Sequence, residues 1–240
     1  MFADIHTHIL FGTDDGPEDE NGMYEMADRG YAEGIRILCA TPHFHPEYFG
    51  DNRKHSEYAF QKLKEYCEKK YPDMVLVFGN EFFYRQDCIS WLKNKIVNTY
   101  GDTRYVLLEF SEGDSENFIA EAVDRLLSVG YIPIIAHAER YFKLSVGRIF
   151  ALKENGALIQ ANAQSMFMRF QFRLKCRMKS LLTEKAVDFI STDAHNLTTR
   201  PLELKKCYAL ISSKYGKRYA DNIFYNNAKN LFCDNEGEQK

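Results

Sequence analysis

Apolar residues in this chain fall into short, nearly continuous runs, and between the runs they recur at three- and four-residue spacing. The first run ends in Asp4-Ile5-His6-Thr7-His8; the others are Ile35 to Ala40, Met74 to Gly79, Tyr105 to Leu108, Ile132 to Ala136, Ala157 to Ala161 and Val187 to Ser191. Runs that stay apolar along most of their length read as strands buried on both faces. The intervening stretches read as helices: about 20–33 (Met23, Met26, Ala27 and Tyr31 on one face, Gly34 at the end), 53–71, a shorter one near 87–96, 115–128, and 145–155 closed by Gly156. A long basic amphipathic stretch from about 165 to 185 precedes the last strand, 201–230 reads as two terminal helices, and 234–240 as a frayed polar tail. This alternation, with no doubly wound glycine fingerprint, predicts an α/β fold: an all-parallel sheet closed into a (β/α)7 barrel related to the eight-stranded TIM kind.

Composition narrows the picture. A chain of 240 residues suits one large domain, here expected over 1–240. With 31 basic against 34 acidic residues and a net charge of −3, there is no basic block of the kind a nucleic-acid groove needs. No stretch approaches the roughly 18 apolar residues of a membrane span, and no basic segment leads into an apolar run at the start, so a cytoplasmic, soluble protein is expected. Cys39, Cys67, Cys88, Cys176, Cys207 and Cys233 lack C-x-x-C spacing and read as reduced, mostly buried thiols. None has an arginine six residues on, so a phosphocysteine route is not expected.

The chemistry lies at the ends of the apolar runs. On a regular strand Asp4, His6 and His8 share a face, two imidazoles converging with Asp4 one rung deeper as a group able to orient a ring N–H. Later runs end in His43, Glu81, Glu109, His137, Gln160 or Asn162, and Asp193 with His195, while a turn-rich loop carries Asp14 and Asp15. Barrels keep their chemistry at the C-terminal ends of their strands, and five of the seven histidines fall there. A lone strand-end histidine is usually structural; this recurrence points to a metal centre. The candidate ligands are His6, His8, Asp15, His43, Glu81, Glu109, His137, Asp193 and His195, more than one or two ions require. Imidazole and carboxylate without thiolate suit manganese, iron or zinc. Clustered divalent ions activate water and neutralise phosphoryl oxygens, so hydrolysis of a phosphate ester is the expected chemistry.

Asp-Ile-His-Thr-His at 4–8, Ala-Thr-Pro-His at 40–43, Gly-Asn-Glu at 79–81, His-Ala-Glu-Arg at 137–140 and Ser-Thr-Asp-Ala-His-Asn at 191–196 resemble the polymerase and histidinol phosphatase (PHP) superfamily. Asp14-Asp15-Gly16-Pro17, Leu108-Glu109-Phe110, the His-x-Glu-Arg stretch and Arg200-Pro201 resemble its bacterial capsule and exopolysaccharide tyrosine phosphatases, in order from residue 2 to about 231. The resemblance implies a distorted PHP-type barrel with up to three divalent ions: one on His6, His8, Glu81 and Asp193; a second sharing Glu81 with Glu109 and His137; a third on Asp15, His43 and His195, with Asp14 a rival to Asp15. It implies that Arg140 and Arg200 bind phosphate, a role their bidentate guanidinium suits. It further implies a phosphotyrosine substrate, on a bacterial tyrosine kinase of polysaccharide export.

The loop Phe44-His45-Pro46-Glu47-Tyr48-Phe49 departs from the pattern of that family. It reads either as a wall against a phosphotyrosine ring or as a packing cluster at the rim; His45 is a possible extra ligand and His55 a helix-surface residue. The competing functions are another PHP phosphoesterase, such as a histidinol phosphatase or a nuclease-like enzyme, and a non-catalytic, metal-stabilised binding domain.

Overall fold

The computed structural model describes residues 1–168 and 171–232. Its strands are β1 (Phe2–Thr7), β2 (Ile35–Ala40), β3 (His43–Phe44), β4 (Val75–Phe78), β5 (Glu81–Phe83), β6 (Tyr105–Glu109), β7 (Ile132–Ile135), β8 (Leu158–Asn162) and β9 (Phe189–Ser191). All pairings are parallel, in the orders β1-β2-β4 and β3-β5-β6-β7-β8-β9. Since β2 continues into β3 and β4 into β5, these segments occupy the seven predicted strand positions. The wall closes where Thr7 bridges to Ala194, the His8 N–H donates to the Ala194 carbonyl at 2.8 Å and the Asp193 N–H to the His6 carbonyl at 2.9 Å. The barrel reading therefore holds.

Two expected strands are each split because of local chemistry. Pro42 lacks an N–H for the ladder, and its carbonyl is taken by the Asn80 side chain (3.1 Å) and the Glu81 N–H (3.2 Å). Consequently His43 and Glu81 open short outer segments instead of ending longer strands.

Helices cover the outside. Glu20–Glu33, Glu116–Ser128 and Val146–Glu154 are N-capped by Asp19, Ser115 and Ser145, each accepting from a backbone N–H in the first turn. Their apolar faces, with those of helices Arg53–Lys70 and Phe172–Thr183, meet the outward strand residues, Met23, Ala59, Ile119, Ile149 and Leu181 sharing one core with Leu38, Val106, Ile135 and Ile190. The interior is a second cluster: Ala3, Ile5, Ile37, Cys39, Leu107, Ile134, Ala136 and Phe189, with Tyr100 and Ala228.

Some boundaries differ from expectation. The 165–185 stretch is a 3-10 turn at Ala163–Met166 and a helix at Phe172–Thr183. The terminal region, expected as two helices, is Lys205–Tyr215, Lys217–Asp221, a π turn at Asn222–Asn226 and Asn227–Phe232; Gly216, with φ 97°, makes the first break. The predicted tail at 234–240 lies outside the described residues, as does Cys233.

Candidate active site

Strand closure brings every predicted ligand to one rim. His6 Nε2 and His8 Nε2 lie 3.2 Å apart, and Glu81 Oε2 is 3.1 Å from each. Asp193 Oδ1 stands 3.5 Å from the first and 3.4 Å from the second. His137 Nε2 meets the other Glu81 oxygen at 2.9 Å and Glu109 at 3.5 Å. His43 Nδ1 is 3.1 Å from Glu81 and 3.7 Å from Glu109, while its Nε2 is 3.9 Å from Asp15. His195 Nε2 is 3.1 Å from Asp15. Three close groups result: His6, His8 and Asp193; His43, Glu81 and Glu109; and His8, Asp15, His43 and His195. His43 thus faces both Glu81 and Asp15, beyond the single placement the resemblance implies.

The donors fit divalent ions on two counts. Neighbouring ligands on one ion with bonds of ~2.1 Å stand about 3.0 Å apart at right angles and about 3.4 Å apart in a tetrahedron, the range of the innermost distances here. Ring orientation is the second. The His6 Nδ1 is 3.2 Å from Gln160 Oε1, His8 Nδ1 2.7 Å from Asp14, His137 Nδ1 3.3 Å from the Tyr141 hydroxyl, and His195 Nδ1 2.9 Å from the Asp193 carbonyl. Four Nδ1 atoms are occupied outward and four Nε2 atoms turn inward, the arrangement that fixes an imidazole tautomer for metal binding.

Electrostatics agree. Burial opposes charge on Glu81 and Asp193, yet His6 and its neighbouring imidazoles hold both carboxyls well below the usual range. Burial likewise works against the His8 imidazolium, but Asp14, Asp193 and Glu81 raise it well above the ordinary value; His137, buried beside Arg140 but bonded to Glu109 and Glu81, rises to about 9. Burial and the neighbouring His8 lower His195. Buried anions and imidazoles that depend on one another for charge are ready to exchange protons for cations.

The backbone at the rim is unusual. His137 (φ 32°) and Asp193 (φ 54°) are non-glycine residues in the left-handed region, which costs energy and gathers at functional positions. Gly16 lets the acidic loop lie against β1, since a Cβ there would sit 2.2 Å from the His8 carbonyl oxygen.

Arg140 Nη2 is 2.9 Å and Arg200 Nη2 2.7 Å from Asp193 Oδ2. One carboxylate therefore faces the imidazoles with Oδ1 and both guanidinium groups with Oδ2. Asp14 and Asp15 separate by role: Asp14 is buried on His8 and the His43 N–H (2.8 Å), whereas Asp15 is half exposed and joins a ligand group.

Three expectations are corrected. Asp4 does not orient a ring N–H; pairing with β2 slips between Asp4 and Thr7, and its carboxylate binds the Thr192 N–H (3.0 Å) and hydroxyl, with burial pushing it to about 6. His45 belongs to no ligand group among the described residues; it packs edge-on to Tyr48 and against Phe83. His55 is no plain surface residue, because its Nε2 meets the Phe11 carbonyl at 2.9 Å. Gln160, Asn162 and Tyr141 were missed as supports. Gln160 also accepts from the His137 N–H at 2.6 Å, and Asn162 donates to Asp193 Oδ2 at 2.8 Å. The strand-end positions of Gln160 and Asn162 were the available signal; Tyr141 offered none.

A parallel barrel with imidazole and carboxylate clustered at one rim beside two arginines defines a hydrolase of the metal-assisted kind. A family model described as "Capsular polysaccharide synthesis, CpsB/CapC" matches residues 2–233. The chain belongs to this CpsB/CapC family. It is 32% identical to tyrosine-protein phosphatase CpsB of Streptococcus agalactiae serotype III over 235 residues, 95% of this chain and 97% of that protein. To tyrosine-protein phosphatase YwqE of Bacillus subtilis it is 28% identical over 215 residues, 89% and 85% of the two chains. A solved chain from a study of YwqE and Streptococcus pneumoniae CpsB, "unique metal-dependent tyrosine phosphatases", superposes with a TM-score of 0.85 at 27% identity, covering 96% of this chain and 94% of that one. A Deinococcus radiodurans organophosphorus hydrolase shares the fold (TM-score 0.63, 14% identity, 96% and 92% covered).

Proposed function

We propose that this chain is a metal-dependent protein tyrosine phosphatase of one domain, working in the cytoplasm on a phosphotyrosine protein, namely a bacterial tyrosine kinase of capsular or exopolysaccharide synthesis. The observation that carries it is the inward convergence of Nε2 atoms and carboxylates beside Arg140 and Arg200, in a chain of the CpsB/CapC family. Among the described residues no helix is long and apolar enough to cross a membrane.

Up to three ions, manganese, iron or zinc, would be held by His6, His8, Glu81 and Asp193; by Glu81, Glu109 and His137; and by Asp15, His43 and His195, with His43 turned between the last two sets. Bound there, they would supply Lewis-acid charge and a water made acidic near neutral pH. The protein does the rest. Asp14, Gln160 and Tyr141 keep His8, His6 and His137 oriented with Nε2 inward. Arg140 and Arg200, about one-third exposed at the edge of the cluster, take phosphoryl oxygens in place of Asp193 Oδ2. A tyrosine phenolate, with pKa near ~10, leaves with little protonation, whereas a serine alkoxide needs a strong acid.

Buried thiols do not compete for the role of nucleophile. Burial pushes Cys67 and Cys207 up to about 12 and Cys88 up to about 11. The deciding experiment assays manganese-loaded protein on a phosphotyrosine peptide, a phosphoserine peptide, histidinol phosphate and single-stranded DNA. Fast hydrolysis confined to the phosphotyrosine peptide is expected. Preference for histidinol phosphate or DNA would move the chain to another phosphoesterase class, and no turnover on any of them would leave a binding domain.

A further inference from the structure

The loop after β3 forms one wall of a groove of about 430 Å³ that opens directly onto the cluster, sharing His43 and Glu109 with it. Four of its other lining residues carry aromatic rings, Tyr48, Phe49, Phe83 and Phe110, and His45, Ser111 and Glu112 complete it. Phe49 lies parallel to the His43 ring at 5.3 Å, and His45 fills the corner between Tyr48 and Phe83. The wall is pinned from outside, because Arg85 Nη1 donates to Glu47 Oε1 at 2.8 Å and Nη2 meets the second oxygen. Tyr48 meets the edge of His45 yet stays 80% exposed at the mouth.

Strand order gives the groove a direction. It is built from β3, β5 and the end of β6, whereas Arg140 and Arg200, which follow β7 and β9, both reach Asp193 just after β9, outside the groove. A phosphoryl group lying over the ligands with its oxygens toward the arginines has its ester oxygen facing the groove.

We propose that this groove seats the aromatic ring of the phosphotyrosine, with Tyr48 and Phe83 as its specificity-determining faces. The inference rests on the phosphatase reading and adds where the aryl group goes. A second groove, lined by Pro17, Met26 and Leu197 beside Asp15 and His195, borders the cluster from the β1 side without an aromatic ring. Rings favour offset or edge contact with other rings, so the aromatic groove is the better host.

The test measures, by calorimetry on manganese-loaded protein, the affinities of phenylphosphonate and inorganic phosphate, which share a headgroup and differ in the ring. Tyr48→Ala and Phe83→Ala should weaken phenylphosphonate about three- to tenfold, the scale of one aromatic contact, and change inorganic phosphate less than about twofold. Leu197→Ala should alter neither. Tyr48 is 80% exposed and outside the buried core, so its removal spares the fold and a folding defect in the Phe83 variant leaves the test intact. An unchanged ratio of affinities in the Tyr48 variant, equal weakening of both ligands, or a ratio that moves in Leu197→Ala would overturn the assignment. Wild-type protein that hydrolyses no phosphotyrosine yet discriminates the ring through Tyr48 would fail the phosphatase reading and keep the aryl site.

Discussion

Glu81 engages the cluster with both oxygens, His6, His8 and His43 meeting one and His137 the other. Asp15 pairs with His43, His195 and Arg200 and shares a close group with His8, without reaching Glu109 or His137 in any close group among the described residues. Glu81→Ala should therefore strip two ions and Asp15→Ala only one, as read by elemental analysis of protein purified in excess manganese. Equal loss would contradict a bridging Glu81. The arginines give a second prediction at this scale. Replacing either Arg140 or Arg200 with Ala should lower kcat/KM on a phosphotyrosine peptide by tens- to thousands-fold, the range for one preorganised donor, with metal content retained. Near wild-type turnover would mean that the two serve only to pair with Asp193.

At the level of elements, the rim depends on backbone shapes that side-chain preference alone disfavours. His137 and Asp193 keep left-handed φ angles because the surrounding bonds hold them, from the His137 N–H to Gln160 Oε1 and from the Asp193 N–H to the His6 carbonyl. Lys185 shares that conformation (φ 52°) without such a purpose; it is exposed just after the helix Phe172–Thr183, where glycine is the usual residue. Lys185→Gly should then stabilise the fold by about 0.5–1 kcal/mol, the relief of a Cβ clash less the added freedom of the unfolded chain. A rise in Tm of about 1–4 °C, with unchanged activity, is the expected reading. A fall in Tm would show that the Lys185 side chain contributes more than its backbone costs.

For the whole molecule, candidate ligands drawn from strands spread between residues 6 and 195 would tie metal binding to barrel closure. Ions held by the folded state alone stabilise it by about 2.7 kcal/mol at a hundredfold excess over Kd, or roughly 5–10 °C in a chain of this size. Chelation should lower Tm by that order and abolish activity, and manganese should restore both. Alkylation of accessible thiols should leave activity largely intact, since Cys39, Cys67, Cys88 and Cys207 are buried. Activity that survives chelation but disappears on alkylation would remove the rim from the mechanism.

Periodicity sufficed for the seven strand positions, because a strand covered on both faces must be apolar along its length, and polar residues at the ends of such runs then stand out. His6, His8, His43, Glu81, Glu109, His137, Asp193 and His195 were legible for that reason. What pairs across the chain was not. The choice between Asp14 and Asp15 depends on how a loop folds over Gly16; the role of Asp4 depends on a register slip against β2; and Gln160, Asn162 and Tyr141 serve the cluster only because β7, β8 and β9 lie side by side. Local sequence sets burial and the kind of element, since both follow from residue type at short spacing. The direction of an imidazole nitrogen follows from partners distant in the chain, such as Gln160 for His6, and only the closed barrel brings them within 3.2 Å.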